Sequence, residues 1–204
     1  MIEVTRDGGY WRVAINRPDK ANSLTRAMLT DLAEAAEAAQ GVAKAFVLTG
    51  EGQVFSAGAD LEEARAGLAK DPVWERLSSA IAGLPCLTIA AMNGTLAGGA
   101  FGMALACDLR LAVHDASFFY PVMKLGFLPQ PSDPGRLTAL VGPARAKLIL
   151  MGGARLDAAE ALSFGLVDAV LSRSELEPFV QALCADVLGA TPEHVAAIKA
   201  MVRG

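Results

Sequence analysis

Apolar residues along the chain fall into two rhythms. They alternate with polar ones in Tyr10–Ile15, and they run almost unbroken through Ala45–Thr49, Leu87–Met92 and Leu109–Val113. Alternation predicts a half-buried strand, and short continuous runs predict strands covered on both faces. Ile2–Thr5 and Tyr10–Ile15 flank Arg6-Asp7-Gly8-Gly9, a hairpin signal. Elsewhere the spacing lengthens to a helical period. Thr25 is a predicted N-cap for an alanine-rich helix reaching about Ala39 and closed by Gly41. Ala59 to Ala82 reads as mostly helical, interrupted at Asp71-Pro72, where Asp71 caps a new helix that starts with Pro72. Further helices are predicted over Pro134–Val141, Ala144–Leu150, Ala158–Phe164, Glu175–Leu188 and Pro192–Val202, with a last strand over Leu166–Leu171. Strands alternating with helices predict an α/β fold, pictured from the pattern alone as one sheet covered on both faces. There is no internal repeat or low-complexity tract, and the chain divides into a core over 1–171 and a helical extension over 172–204.

Composition supports a packed core. The 204 residues are 53% hydrophobic and 20% charged, which excludes intrinsic disorder. Lys and Arg number 18 against 22 Asp and Glu, a net charge of -4 that argues against a nucleic-acid surface. The residues from Leu84 to Cys107 carry no charge and repeat glycine at Gly94, Gly98 and Gly102, imitating a membrane span. Asn93-Gly94 and Gly98-Gly99 break the stretch, so it reads as a buried strand, a glycine turn and a buried helix. The N-terminus lacks a basic-then-apolar signal pattern. Cys86, Cys107 and Cys184 match neither a zinc spacing nor a disulfide framework, and a reducing cytoplasm is the expected compartment. No metal site or membrane association is expected.

Two glycine-containing loops are the candidate chemistry. Each leads from a strand into a helix: Val54-Phe55-Ser56-Ala57-Gly58-Ala59-Asp60-Leu61, and Asn93 through Gly98-Gly99 to Gly102. Small residues let backbone approach a ligand, and the first N–H groups of a helix are unpaired donors. Rival motifs fail. No G-x-G-x-x-G follows the first strand, no phosphate loop ending in G-K-[ST] exists, and Ser56 is not in a G-x-S-x-G elbow. His114 and His194 have no partner spacing.

Taken in order, Ile15-Asn16-Arg17-Pro18, Ala21-Asn22-Ser23-Leu24, Phe55 through Leu61, Pro85 through Gly94, Gly98-Gly99, Cys107-Asp108-Leu109-Arg110, Gly126-Phe127-Leu128-Pro129, Arg136-Leu137 and Ala158 through Asp168 resemble the crotonase (enoyl-CoA hydratase/isomerase) superfamily. The resemblance implies a stack of ββα units forming two roughly perpendicular sheets flanked by helices, in place of the single covered sheet. It implies an acyl-CoA thioester substrate, with coenzyme A arriving as part of it and no tightly bound cofactor. It places the thioester oxygen between the backbone N–H groups of Ala59 and Gly99. Lys20 and Arg17 become candidates for the CoA phosphates, with Ala21, Ser56, Ala57, Asp60 and Leu61 along the nucleotide and pantetheine path. A trimer or dimer of trimers is the assembly the family implies.

The chain departs from the family pattern where a hydratase carries its two glutamates. Matching Asn93-Gly94 and Cys107-Asp108 puts the first at Gly102, and matching Pro121 and Gly126–Pro129 puts the second at Val122. Neither residue transfers a proton. A further branch has an aspartate where this chain has Gln130. Asp133 is the candidate relocated base, although Ser132 or Asp133 before Pro134 also reads as a helix N-cap. Tyr120 is a candidate for orienting substrate, set against packing beside Phe118 and Phe119. Three functions follow: a hydratase/isomerase-like enzyme, a decarboxylase of malonyl-type thioesters, or a non-catalytic acyl-CoA binder. Glu175–Gly204 is also shorter than the family's usual C-terminal helices, which implies a more open acyl pocket or one closed by a neighbouring subunit.

Overall fold

A computed structural model describes residues 1–202. The last two residues of the predicted C-terminal extension, 203–204, lie outside the described residues. Among the described residues ten strands form two sheets, as the family resemblance implies and the single-sheet picture does not. The six-stranded sheet has the order β1-β2-β3-β5-β7-β10, built from β1 (Ile2–Asp7), β2 (Tyr10–Ile15), β3 (Ala45–Gly50), β5 (Leu87–Met92), β7 (Leu109–Val113) and β10 (Ala169–Leu171). Only the β1–β2 hairpin is antiparallel; the other neighbours run parallel. Every residue of β3 is buried, as expected of a strand with helices on both sides.

The second sheet consists of four three-residue strands, β4 (Val54–Ser56), β6 (Thr95–Ala97), β8 (Ser117–Phe119) and β9 (Arg155–Asp157), in the order β4-β6-β8-β9. None of these was predicted. Three residues carry too little periodicity to stand out from a loop. The charge-free stretch that imitates a membrane span supplies β5, β6, a 3-10 turn over Gly98–Ala100 and the fully buried α4 (Phe101–Leu105).

Helices are fastened by local signals. Thr25 Oγ1 accepts the Met28 N–H at 3.2 Å and starts α1 (Arg26–Ala39), whose Leu29, Leu32, Ala33 and Ala36 pack into the core. The predicted long helical segment from Ala59 is three pieces: α2 (Leu61–Arg65), a 3-10 turn over Leu68–Lys70 and α3 (Val73–Gly83). Gly67 at φ +107 makes the break, and Asp71 Oδ1 accepts the Val73 N–H at 2.8 Å at the start of α3. After the short α5 (Val122–Leu125), α6 (Asp133–Leu150) is bent at Gly142 (φ 78, ψ 163), between the two helices the sequence predicts there. Capping boxes start α7 (Ala158–Phe164) and α8 (Arg173–Gly189). The predicted strand over Leu166–Leu171 shortens to β10, because Leu166 and Val167 close the turn after α7 through N–H bonds to the Ala161 carbonyl. Leu176, Val180 and Cys184 of α8 are buried in the same core, and α9 (Pro192–Val202) buries Val195.

Two buried asparagines join the sheets. Asn22 Nδ2 donates to the carbonyls of Val54 (2.6 Å) and Glu51 (2.9 Å), while its Oδ1 accepts the Arg17 N–H. Asn93 Oδ1 accepts from Gly50 and its Nδ2 donates to Gly52. The chain after Asn93 presses on the loop before β4. An ideal Cβ on Gly94 would lie 1.9 Å from the Gln53 carbonyl oxygen. Gly94→Ala therefore forces backbone apart, and its urea midpoint is expected to fall by the equivalent of about 3 kcal/mol, the upper end of overpacking costs.

Candidate active site

The site is built where the two glycine loops touch. β4 pairs parallel with β6, so the chain leaves both strands side by side and in the same direction. The β4 loop then forms a parallel bridge between Leu24 and Ala59. Its hydrogen bonds run from Leu24 N–H to Gly58 O and from Asp60 N–H to Leu24 O, each 2.8 Å. In such a bridge the flanking residues bond and the central one points the other way. The Ala59 N–H is thus turned away from Leu24.

Gly58 sits at φ +90 with its Cα against that loop. An ideal Cβ there would be 2.8 Å from Ala97 O and 3.4 Å from Gly99 N. Gly99 is in the first turn of the Gly98–Ala100 helix, where N–H groups have no acceptor within the helix. Ala59 and Gly99 both line one cleft of about 150 Å³. Its other walls include Trp74, Tyr120, Val122 and Leu61, and Trp74 is locked by an Nε1–H bond to Leu68 O at 2.8 Å.

The residues matched to the CoA path sit around this junction. Lys20 is exposed on the Pro18–Lys20 turn, and Ala21 and Asn22 follow at φ 50 and 52. Ala21 O accepts the Ala57 N–H, so these two backbones brace each other. Ser56 is fully buried: its hydroxyl donates to Asn22 O at 2.8 Å and accepts the Gly58 N–H at 3.2 Å. Asp60 receives an Arg17 Nη1 bond at 2.8 Å and accepts the N–H groups of Glu62 and Glu63 at the start of α2. The Arg17 contact holds its carboxyl below the usual range. Leu61 is 75% exposed on the rim. Asn22, which no motif argument singled out as functional, organises the loop as a whole through its side-chain bonds.

Asp133 neither caps α6 nor lines the cleft directly. Ser132 takes the N-cap position of α6, with its hydroxyl bonded to Glu75 rather than to the helix. The Asp133 side chain turns inward and is fully buried, with Oδ2 accepting the Tyr120 hydroxyl at 2.8 Å. It therefore does not cap the helix. Its other oxygen lies against Gly102, where an ideal Cβ would be 2.8 Å from Oδ1. The carboxylate thus occupies the space into which a side chain at 102 would project. Burial pushes its pKa up to about 6, against the lowering effects of Tyr120 and Arg136. Val122 is buried on the cleft wall. The three thiols are all buried, and burial pushes Cys107 up to about 12, leaving it protonated at neutral pH.

The raised pKa has a thermodynamic consequence. Between the unfolded value of 3.8 and about 6, the folded state binds more protons than the unfolded one. This group's contribution to stability is therefore greatest below the unfolded pKa and declines as pH rises through 6. The full shift corresponds to about 3 kcal/mol. Asp133→Asn is expected to melt above the unsubstituted protein at pH 7.5, with the difference shrinking toward pH 4, as followed by calorimetry.

Comparison with known proteins gives this geometry its context. A family model described as enoyl-CoA hydratase/isomerase matches residues 5–204. The YngF protein of Bacillus subtilis (strain 168) is 36% identical over 184 residues, which covers 86% of this chain and 70% of that protein. The carnitinyl-CoA dehydratase of Salmonella enteritidis PT4 (strain P125109) is 34% identical, covering 99% of this chain and 80% of its own length. Among solved structures, Pseudomonas aeruginosa DspI superposes with a TM-score of 0.90 at 33% identity, covering 100% of this chain and 86% of that one. A Thermobifida fusca YX protein solved in complex with CoA gives 0.89 at 30% identity, covering 98% and 83%. The chain belongs to the enoyl-CoA hydratase/isomerase family, with the crotonase fold.

Proposed function

We propose that this protein binds an acyl-CoA thioester and stabilises its enolate between the backbone N–H groups of Ala59 and Gly99. The observation that carries the reading is their convergence. The Leu24 bridge turns the Ala59 N–H away from Leu24, and the Gly58 contact brings the Gly99 nitrogen alongside it in one cleft. As charge develops on the thioester oxygen, two preoriented donors in a largely apolar pocket stabilise it without reorganising. A CoA-bound structural neighbour supports the substrate class. Lys20 is exposed beside the entrance loop, in reach of solvent-borne phosphates, while Ser56 and Asp60 hold the loop in shape.

The reaction does not run on the two-glutamate hydratase pattern, since the matching positions are Gly102 and Val122. That observation also favours a second reading, decarboxylation of a malonyl-type thioester. There the departing carboxylate leaves its electron pair as the enolate, and an apolar wall disfavours the charged ground state.

The test is a proton NMR time course with crotonyl-CoA in deuterated water, run in parallel with malonyl-CoA. Turnover of either thioester is expected, as loss of vinyl signals or of the malonyl group. Gly99→Pro removes one donor and should slow turnover by about 10²–10³-fold. Gly99→Ala keeps the N–H while adding a Cβ 3.3 Å from the Trp74 ring, and separates the steric effect from the donor. A folded Gly99→Pro variant that turns over as fast as Gly99→Ala rules the assignment out.

A further inference from the structure

Tyr120 carries the only titratable side chain among the described residues that line the cleft. Among the described residues on its wall there is no Asp, Glu, His, Cys, Lys or Arg, and Tyr120 is the only hydroxyl. Its Oη is bonded to a carboxylate that does not itself line the cleft, Asp133 Oδ2 at 2.8 Å, and accepts the Gln130 N–H at 3.4 Å. Phe101 stacks on the ring at 5.2 Å between centroids and 22° between planes, which fixes the direction of the hydroxyl. Asp133 Oδ1 is buried with no hydrogen-bond partner among the described residues. A buried carboxylate left half-satisfied is costly to stability, and a catalytic role is one reason for keeping it. It fits only because residue 102 is glycine.

We propose that Tyr120 is the catalytic residue that exchanges a proton with the α-carbon of the thioester, and that Asp133 is a positioning residue behind it that takes up or returns that proton. The inference rests on the enolate reading above. In the forward direction the α-C–H bond breaks and its electron pair moves onto the thioester oxygen between Ala59 and Gly99. The proton goes to Tyr120 Oη as the proton already on Oη passes to Asp133 Oδ2. Reversal delivers a proton to the α-carbon, the step that hydration and decarboxylation share. Tyr120 itself stays neutral throughout, consistent with burial and Asp133 both raising its pKa. The charges facing Asp133 are Glu75 of α3 and Arg136 of α6; α4 presents only Gly102. The ionised carboxylate is the receptive form, so exchange rises with pH through about 6.

The experiment follows α-proton exchange of butyryl-CoA in deuterated water by NMR, with binding of the same thioester measured by calorimetry. The unsubstituted protein is expected to bind and to exchange. Tyr120→Phe keeps the stacked ring, and should bind within about threefold while exchange falls about a hundredfold or more. Asp133→Asn should lose exchange to a similar degree and lose the inflection near pH 6, and it serves if Tyr120→Phe does not fold. Binding without exchange in the unsubstituted protein, or unchanged exchange in either variant, overturns the relay and leaves the two-donor reading standing. Absence of butyryl-CoA binding overturns that reading and the relay with it.

Discussion

The carbonyl of Ala97 lies 2.8 Å from where a side chain on Gly58 would begin, and the Gly99 nitrogen is 3.4 Å from the same point. This backbone-to-backbone approach governs the rest of the molecule. It requires β4 and β6 to run parallel and to end together, which gives the small second sheet its role despite strands of three residues. It requires Gly58 at positive φ, a conformation that glycine adopts at no steric cost. It also requires the loop ahead of β4 to be held from behind. Asn22, Asn93 and Ser56 do this by satisfying buried backbone groups that no sheet ladder reaches. In the proposed reading this scaffold presents the Ala59 and Gly99 N–H groups to the substrate.

A site that works through backbone donors places few demands on side-chain identity, which is how one fold accommodates different reactions. What varies is the source of protons. Here helix α4 gives up its side chain at Gly102, and α6 supplies a carboxylate from the opposite side into the same space. Delivered from α6, that carboxylate is behind Tyr120 rather than on the wall. Burial then raises its pKa toward neutrality, where a proton can be taken and returned at modest cost. In the relay proposed above, one buried acid acting through a phenol stands where the family pattern has two glutamates.

Much of this was legible in the residues, and the exceptions have physical causes. β3, β5 and β7 stand out because nearly all of their five or six consecutive residues are buried, and β2 because its burial begins by alternating. Thr25 announces a helix because a capping side chain acts within three residues. The two loops that meet at the cleft were visible as glycine-containing segments between a strand and a helix. Hidden from view were β4, β6, β8 and β9, which are stabilised by partners 22 to 41 residues away rather than by local pattern. The orientation of Asp133 was hidden for the same reason. Ser-Asp-Pro reads locally as a cap, and only the distant Tyr120 hydroxyl and the bare Cα of Gly102 make an inward rotamer favourable. The left-handed backbone at Ala21 and Asn22 is likewise imposed by the two side-chain bonds of Asn22 to the β4 loop.

The central claim, that two backbone N–H groups grip the thioester oxygen, is read most directly from the carbonyl itself. Butyryl-CoA labelled with 13C at the thioester carbon is added to the unsubstituted protein, and the bound resonance is compared with the free one. Two donors polarise the carbonyl and deplete electron density at carbon, so the bound signal moves downfield, and by less in Gly99→Pro. A bound carbonyl resonance at its free position in saturated complex would contradict the account.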